Sequence, residues 1–190
     1  AAQIHDDINL VVLAVMSIAA AAAMYAHGQK VQYGLTCFAA VYMVLDAFWI
    51  ATNWDSVKSP RTASFESICA VLGHHAATLV VLVDPLLQPH HAFYSACALL
   101  VEFNTFLLII RRRVAWGGAV EVLFLVSWVA LRLVWYPFLG FYMLMCAFPG
   151  WGTAVYPRAL VEWRVRVEGH RPTPMLLPSY FAWVGICIFQ

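Results

Sequence analysis

The sequence predicts an all-α, polytopic membrane helix bundle of about six transmembrane segments. Three observations carry that prediction. The chain is 63% hydrophobic and 11% charged, with a mean hydropathy of +0.77, against the roughly 25% charged residues of a soluble domain. Its apolar residues gather in runs long enough to cross a hydrocarbon core roughly 30 Å thick. Those runs are too long for membrane strands and show no period-two alternation, which excludes a β-barrel. With 190 residues, the chain makes a single membrane-embedded domain, 1–190, with little left for a soluble module.

Each run has its own logic. Residues 8–25 are Ala-rich and follow Asp6 and Asp7; residues 33–52 are interrupted only by Asp46. Residues 65–83 form the third run, with Ser64 placed to cap it and Glu66 in its positive first turn. Asp84-Pro85 is expected to end it, because the residue before proline is pushed out of the helical region. Residues 91–110 read as one unbroken span, stopped by Arg111, Arg112 and Arg113. Residues 119–148 exceed what one straight span needs, so Pro137 is expected to kink them and tilt to absorb the rest. Residues 175–189 are too short to cross alone and read as truncated. The one sizeable polar stretch is 149–174; within it, 158–166 alternates charged and apolar residues in the manner of an interfacial helix, an ordinary solvated loop being the alternative.

The remaining composition mostly excludes. The net charge is +1 and no basic tract points to nucleic acid. Five cysteines are scattered singly with no CxxC pair, which fits small buried hydrophobes rather than zinc or a disulfide framework. Loop Lys and Arg are balanced between the two sides; the arginines at 111–113 sit directly at a helix end, which favours that side as cytoplasm, matrix or stroma. The chain starts with Ala and ends in an apolar run, so its ends read as processed or trimmed.

The informative feature is a set of ionisable groups where lipid should surround the chain: Asp46, the pair His74-His75, Glu102 and Arg132. A charge at the bilayer centre costs roughly 2.5–3.5 kcal/mol on insertion scales, so such groups face a bundle interior and mark function. Counting the rise per residue puts His75 and Glu102 roughly 15 Å deep, and Asp46 and Arg132 within a turn or two of them. Arg132 should then pair with a carboxylate, Glu102 rather than Asp46. Adjacent helical residues point about 100° apart, so one histidine can react or bind while the other holds a neighbouring helix. Thr78 shares a face with either and is a hydrogen-bond partner for both. A hydrogen-bonded plug that only fixes helix register is the competing reading.

A metal site finds little support, since the His74-His75 and His90-His91 pairs supply too few ligands for a di-iron centre and His90-His91 belong at the interface. Bis-histidine haem lacks a second deep histidine; a chlorophyll needs only one. Most tryptophans fall at expected interfaces as an aromatic belt. Trp128 and Trp135 flank Arg132 at one-turn spacings and are expected to line a lipid-binding cleft.

Read together, these pieces resemble the TLC domain, shared by ceramide synthases, translocon-associated membrane proteins and the ceroid-lipofuscinosis cargo receptor. Tyr42-Met-Val-Leu-Asp46, His74-His-Ala-Ala-Thr78, Glu102-Phe-Asn-Thr105 and Phe124-Leu-Val-Ser-Trp-Val-Ala-Leu-Arg132 ahead of Pro137 follow that family's order. The resemblance implies that His74 and His75 are the acyl-transfer histidines wherever the domain is catalytic, with acyl-CoA as donor and Glu102 beside them. An imidazole can take an acyl group or serve as base for an attacking amine. Where the synthases place two aspartates after the histidines, this chain has Glu102 and Asn104, so it is similar to the non-synthase branch.

Two functions follow. One is an endoplasmic-reticulum membrane protein that binds or transfers acyl lipids in an intramembrane cavity. The other is a non-catalytic subunit of a larger respiratory or photosynthetic complex, in the mitochondrial inner or thylakoid membrane, touching other subunits, lipids or pigments. A transporter lacks the repeats and paired broken helices it would need.

Overall fold

The computed structural model describes residues 2–26, 28–54, 65–113, 117–147 and 176–189. Among them all regular structure is helical. Helices α1 (Ala2–Ala26), α2 (Gln29–Thr52) and α3 (Phe65–Leu87) come first. A 3₁₀ turn (Pro89–His91) leads into α4 (Ala92–Leu99) and α5 (Glu102–Arg113). Next come α6 (Gly117–Trp128), a π-helical segment (Val129–Trp135), α7 (Tyr136–Ala147) and finally α8 (Leu177–Phe189). Five stretches are long and apolar enough to cross a membrane, and Leu177–Ile186 is a shorter apolar helix. The architecture is the polytopic bundle the composition predicts.

The span Pro89–Arg113 is the hub. Two-thirds of it (67%) is buried, against 33% or less for every other span, because α1 and α2 pack on one side of it and the π segment, α7 and α8 gather on the other. Alanines make the first of these contacts close. Ala20, Ala23, Ala39 and Ala96 are fully buried and bring α1, α2 and α4 together around Leu13, Met16 and Leu99. Without a hydrophobic force between helices in lipid, small side chains allow the close approach that makes van der Waals packing count. The second core is aromatic, with Tyr94, Tyr136, Tyr142 and Trp183 packed around Cys97 and Leu139.

Three local features depart from the sequence expectations. First, Asp84-Pro85 does not end α3, which runs on to Leu87 with Pro85 inside it. A proline this close to the end removes one bond of the ladder, and the Gln88 amide still donates to the Asp84 carbonyl at 2.7 Å. Asp84 is instead a buried anchor. Its carboxylate accepts from His91 Nδ1 at 2.6 Å, from Gln88 Nε2 at 3.1 Å and from the Leu176 amide at 2.8 Å, just ahead of α8. His91, expected at the interface, is fully buried by this contact.

Second, the fourth span is broken at Leu100-Val101, where closure tightens to three-residue bonds such as Val101 N–H to the Ala98 carbonyl at 3.2 Å. Carbonyls at the break also accept from the next span. The Trp135 indole N–H reaches the Cys97 carbonyl at 2.8 Å, and the Tyr136 hydroxyl reaches that of Ala98 at 3.2 Å. Third, the irregularity expected at Pro137 lies one turn earlier, as the π segment. The proline ring crowds the carbonyl four residues back, at Leu133, and a wide turn relieves the clash.

Arg113 pairs with Asp7 and also donates to the Gln3 carbonyl at 2.6 Å, so α5 ends where α1 begins, on one membrane side. The interfacial helix expected at 158–166 and the Ser64 cap lie outside the described residues.

Candidate functional site

Asp46, on α2, is buried and gathers two imidazoles. His75 Nε2 donates to its Oδ2 at 2.8 Å, and His5 Nε2, from α1, donates to its Oδ1 at 2.8 Å. Asn9, one turn after His5, adds a longer bond at 3.4 Å. The other nitrogen of His75 donates to the Val71 carbonyl at 2.8 Å. A neutral imidazole has only one N–H, so satisfying both acceptors takes a second proton, shared between the ring and Asp46. Both ring nitrogens of His75 are therefore committed. This residue ties α3 to α2 and α1 and has no lone pair to offer a substrate.

His74 is placed differently. Its ring lies edge-on to His75, with centroids 6.0 Å apart and planes at 87°, and is half-buried on the opposite flank of α3. Among the described residues no group hydrogen-bonds to it. The ring borders a lateral cleft of about 470 Å³ between α3 and α8, walled by Cys69, Ala70, Gly73 and Ala77 on one side and Ala182, Gly185 and Ile186 on the other. That volume falls within the roughly 300–1,000 Å³ typical of small-molecule sites. Small residues on both helices leave the opening. The two histidines are thus divided, as adjacent helical positions lead one to expect: His75 braces the bundle and His74 borders the cleft.

The break in the fourth span places Glu102 in the first turn of α5, buried at mid-membrane. A helix N-terminus carries partial positive charge, which favours an anion there. Glu102 borders a chamber of about 20 Å³ behind His74. Two residues further on, Asn104 joins three elements. Its amide donates to Ser127 Oγ at 3.0 Å and to the Phe124 carbonyl at 3.3 Å, and its Oδ1 accepts from Arg132 Nε at 3.3 Å.

Several expected pairings do not form. Arg132, on the π segment, makes no ion pair with a carboxylate among the described residues; Asn104 is its partner instead. Asp46 is already claimed by His5 and His75, and Glu102 sits on the other side of the α5 turn from Asn104. Thr78 donates to the backbone carbonyl of His74 at 2.9 Å and not to either imidazole. Trp135 caps the broken helix, and neither it nor Trp128 lines the cleft or the chamber at His74; α8 supplies the wall that α6 was expected to form. His5 precedes the first apolar run and Asn9 stands at its very start, so neither belongs to the mid-depth ionisable set that the sequence singles out. Their spacing of one helical turn was the available signal. No set of three or more His, Cys, Asp or Glu side chains among the described residues is arranged to hold a metal ion.

The geometry is that of a polar, partly accessible centre inside a lipid-embedded bundle. A family model for the TLC domain matches residues 8–189, nearly the whole chain. The chain belongs to the TLC-domain family. No curated protein sequence and no solved structure gives a significant match. The TLC match takes in every site residue named above except His5, so the Asp46–His75 contact and the His74 cleft lie within the family's domain and the His5 brace lies just outside it.

Proposed function

We propose that this TLC domain binds acyl chains of membrane lipids in the α3/α8 cleft and presents His74 to the bound molecule. The observation that carries this reading is the coincidence of an apolar lateral cleft with an imidazole that no group among the described residues engages in a hydrogen bond. The cleft walls suit a hydrocarbon chain, and the ring offers the polar contact that fixes orientation in such sites. Glu102 and Asn104, standing where the synthases have aspartates, support a role akin to the non-synthase branch, in which the protein acts on lipid composition at the endoplasmic reticulum. If it transfers acyl groups, His74 takes the nucleophile or base role, acyl-CoA is the donor, and His75 is a positioning residue held by Asp46.

The test compares two variants of the purified full chain. His74→Ala should change the lipids that co-purify, measured by mass spectrometry, and leave the unfolding temperature in detergent close to wild type. His75→Ala should lower that temperature, because it strands Asp46 and releases α2. Unchanged lipids in His74→Ala, together with loss of association with partner subunits, would favour the scaffold role in a larger complex and refute the lipid reading.

A further inference from the structure

Behind the cleft, His74 and Ile186 also wall the second, smaller chamber, so the two spaces meet at that pair. The chamber is further bounded by Thr78, Glu102 and Trp183. Its volume of about 20 Å³ admits one water-sized group and no more, since a water needs roughly 10–15 Å³ of such space. Trp183 is 1% exposed, and its indole N–H finds no acceptor among the described residues. A buried donor of this kind calls for an explanation, because leaving it unsatisfied is costly.

The other groups define what would satisfy it. Thr78 has spent its proton on the His74 carbonyl. Glu102 offers carboxylate oxygens, and the unprotonated nitrogen of a neutral His74 is a further acceptor. With Glu102 ionised and the unprotonated nitrogen of His74 turned to the chamber, the occupant must accept from Trp183 and donate to Glu102 or His74, through one atom. A carbonyl oxygen accepts but cannot donate. A carboxylate would set a second anion against Glu102, and an ammonium gives Trp183 nothing to donate to. A hydroxyl does both.

We propose that the chamber is a binding site for a single hydroxyl oxygen, held between the Trp183 indole and Glu102 beside His74. Two sources share that chemistry: water, and the terminal hydroxyl of an aliphatic alcohol whose chain lies in the cleft. The second source rests on the lipid reading above. It makes Trp183 a specificity residue that selects alcohols over acids, amines and plain alkanes.

The experiment uses the full chain in nanodiscs with ¹⁵N-indole tryptophan, the Trp183 signal being assigned by its loss in Trp183→Phe and checked by its displacement in Glu102→Gln. Without added alcohol, the Trp183 N–H should show a cross-peak to bound water. Adding 1-hexadecanol should shift the signal and remove that cross-peak, while hexadecane should do neither. Trp183→Phe should weaken hexadecanol binding by about tenfold and leave hexadecane binding unchanged. A water cross-peak that hexadecanol does not disturb assigns the site to water alone. No water cross-peak and no alcohol response overturns the proposal, as does an equal response to hexadecane. Retention of neither hexadecane nor hexadecanol in native mass spectrometry defeats the cleft reading separately, while the water cross-peak still decides the chamber. The wild-type and Glu102→Gln spectra carry the test if Trp183→Phe fails to fold.

Discussion

Replacing Asp46 tests the bracing of the bundle most directly. In the wild type its carboxylate accepts two short bonds, from His5 and His75, each 2.8 Å long. Asp46→Ala removes both acceptors, stranding the His75 Nε2–H and leaving His5 Nε2 with Asn9 alone, at 3.3 Å. Hydrogen bonds to a charged group contribute roughly 1.5–3 kcal/mol each, and breaking a buried pair by deleting one partner costs roughly 3–5 kcal/mol. The expected loss is therefore about 3–5 kcal/mol, with the lower end favoured because the unfolded chain in a membrane finds other partners. Asp46→Asn should cost far less, about 1 kcal/mol. The amide can donate to His75 Nε2 once that ring is neutral, while His75 Nδ1–H keeps its bond to the Val71 carbonyl. Denaturant unfolding in mixed micelles, followed by tryptophan fluorescence, measures both variants. The double variant Asp46→Ala/His75→Ala then isolates the coupling, which should recover a large part of the single-variant losses. A loss below about 1 kcal/mol for Asp46→Ala, or additive single and double effects, would refute the bracing argument.

Two further predictions concern the neighbouring anchors. Asp84→Leu keeps a side chain of similar bulk but removes the acceptor for the Leu176 amide and His91, so α8 should loosen from α3; amide exchange across 177–186 should quicken while that of α1 and α2 stays protected. Arg132→Met should leave unfolding within about 1 kcal/mol of wild type, since its contact is a single long bond to Asn104, whereas Asn104→Leu should cost more by cutting α5 from α6. Equal losses for the Arg132 and Asn104 variants would mean that Arg132 carries a buried charge pair after all.

The sequence determined a good deal by itself. Long apolar runs fix membrane helices because no other element can satisfy its own backbone in lipid, and the ionisable residues within those runs had to find polar partners inside the bundle. The depth of His75, Asp46 and Glu102 was legible from the rise per residue alone. Depth is one coordinate of three, however. It says nothing of which helices are neighbours, nor of the direction in which a side chain points around its axis. For that reason depth favoured Glu102 for Arg132, whereas the structure gives Arg132 to Asn104, and only the packing of α1 and α3 against α2 gave Asp46 to His5 and His75. The break at Leu100-Val101 carries no proline or glycine to announce it. It persists because Trp135 and Tyr136, more than thirty residues later in the chain, supply donors to the Cys97 and Ala98 carbonyls beside it. The same tertiary packing keeps Pro85 inside α3, since the Asp84 before it is held by His91 and by the start of α8. That the paired histidines divide their labour was legible in the chain, but which of them takes which part was not. Adjacent positions on a helix must face different neighbours, and the placement of α2 on one side and α8 on the other made His75 a brace and left His74 at the cleft.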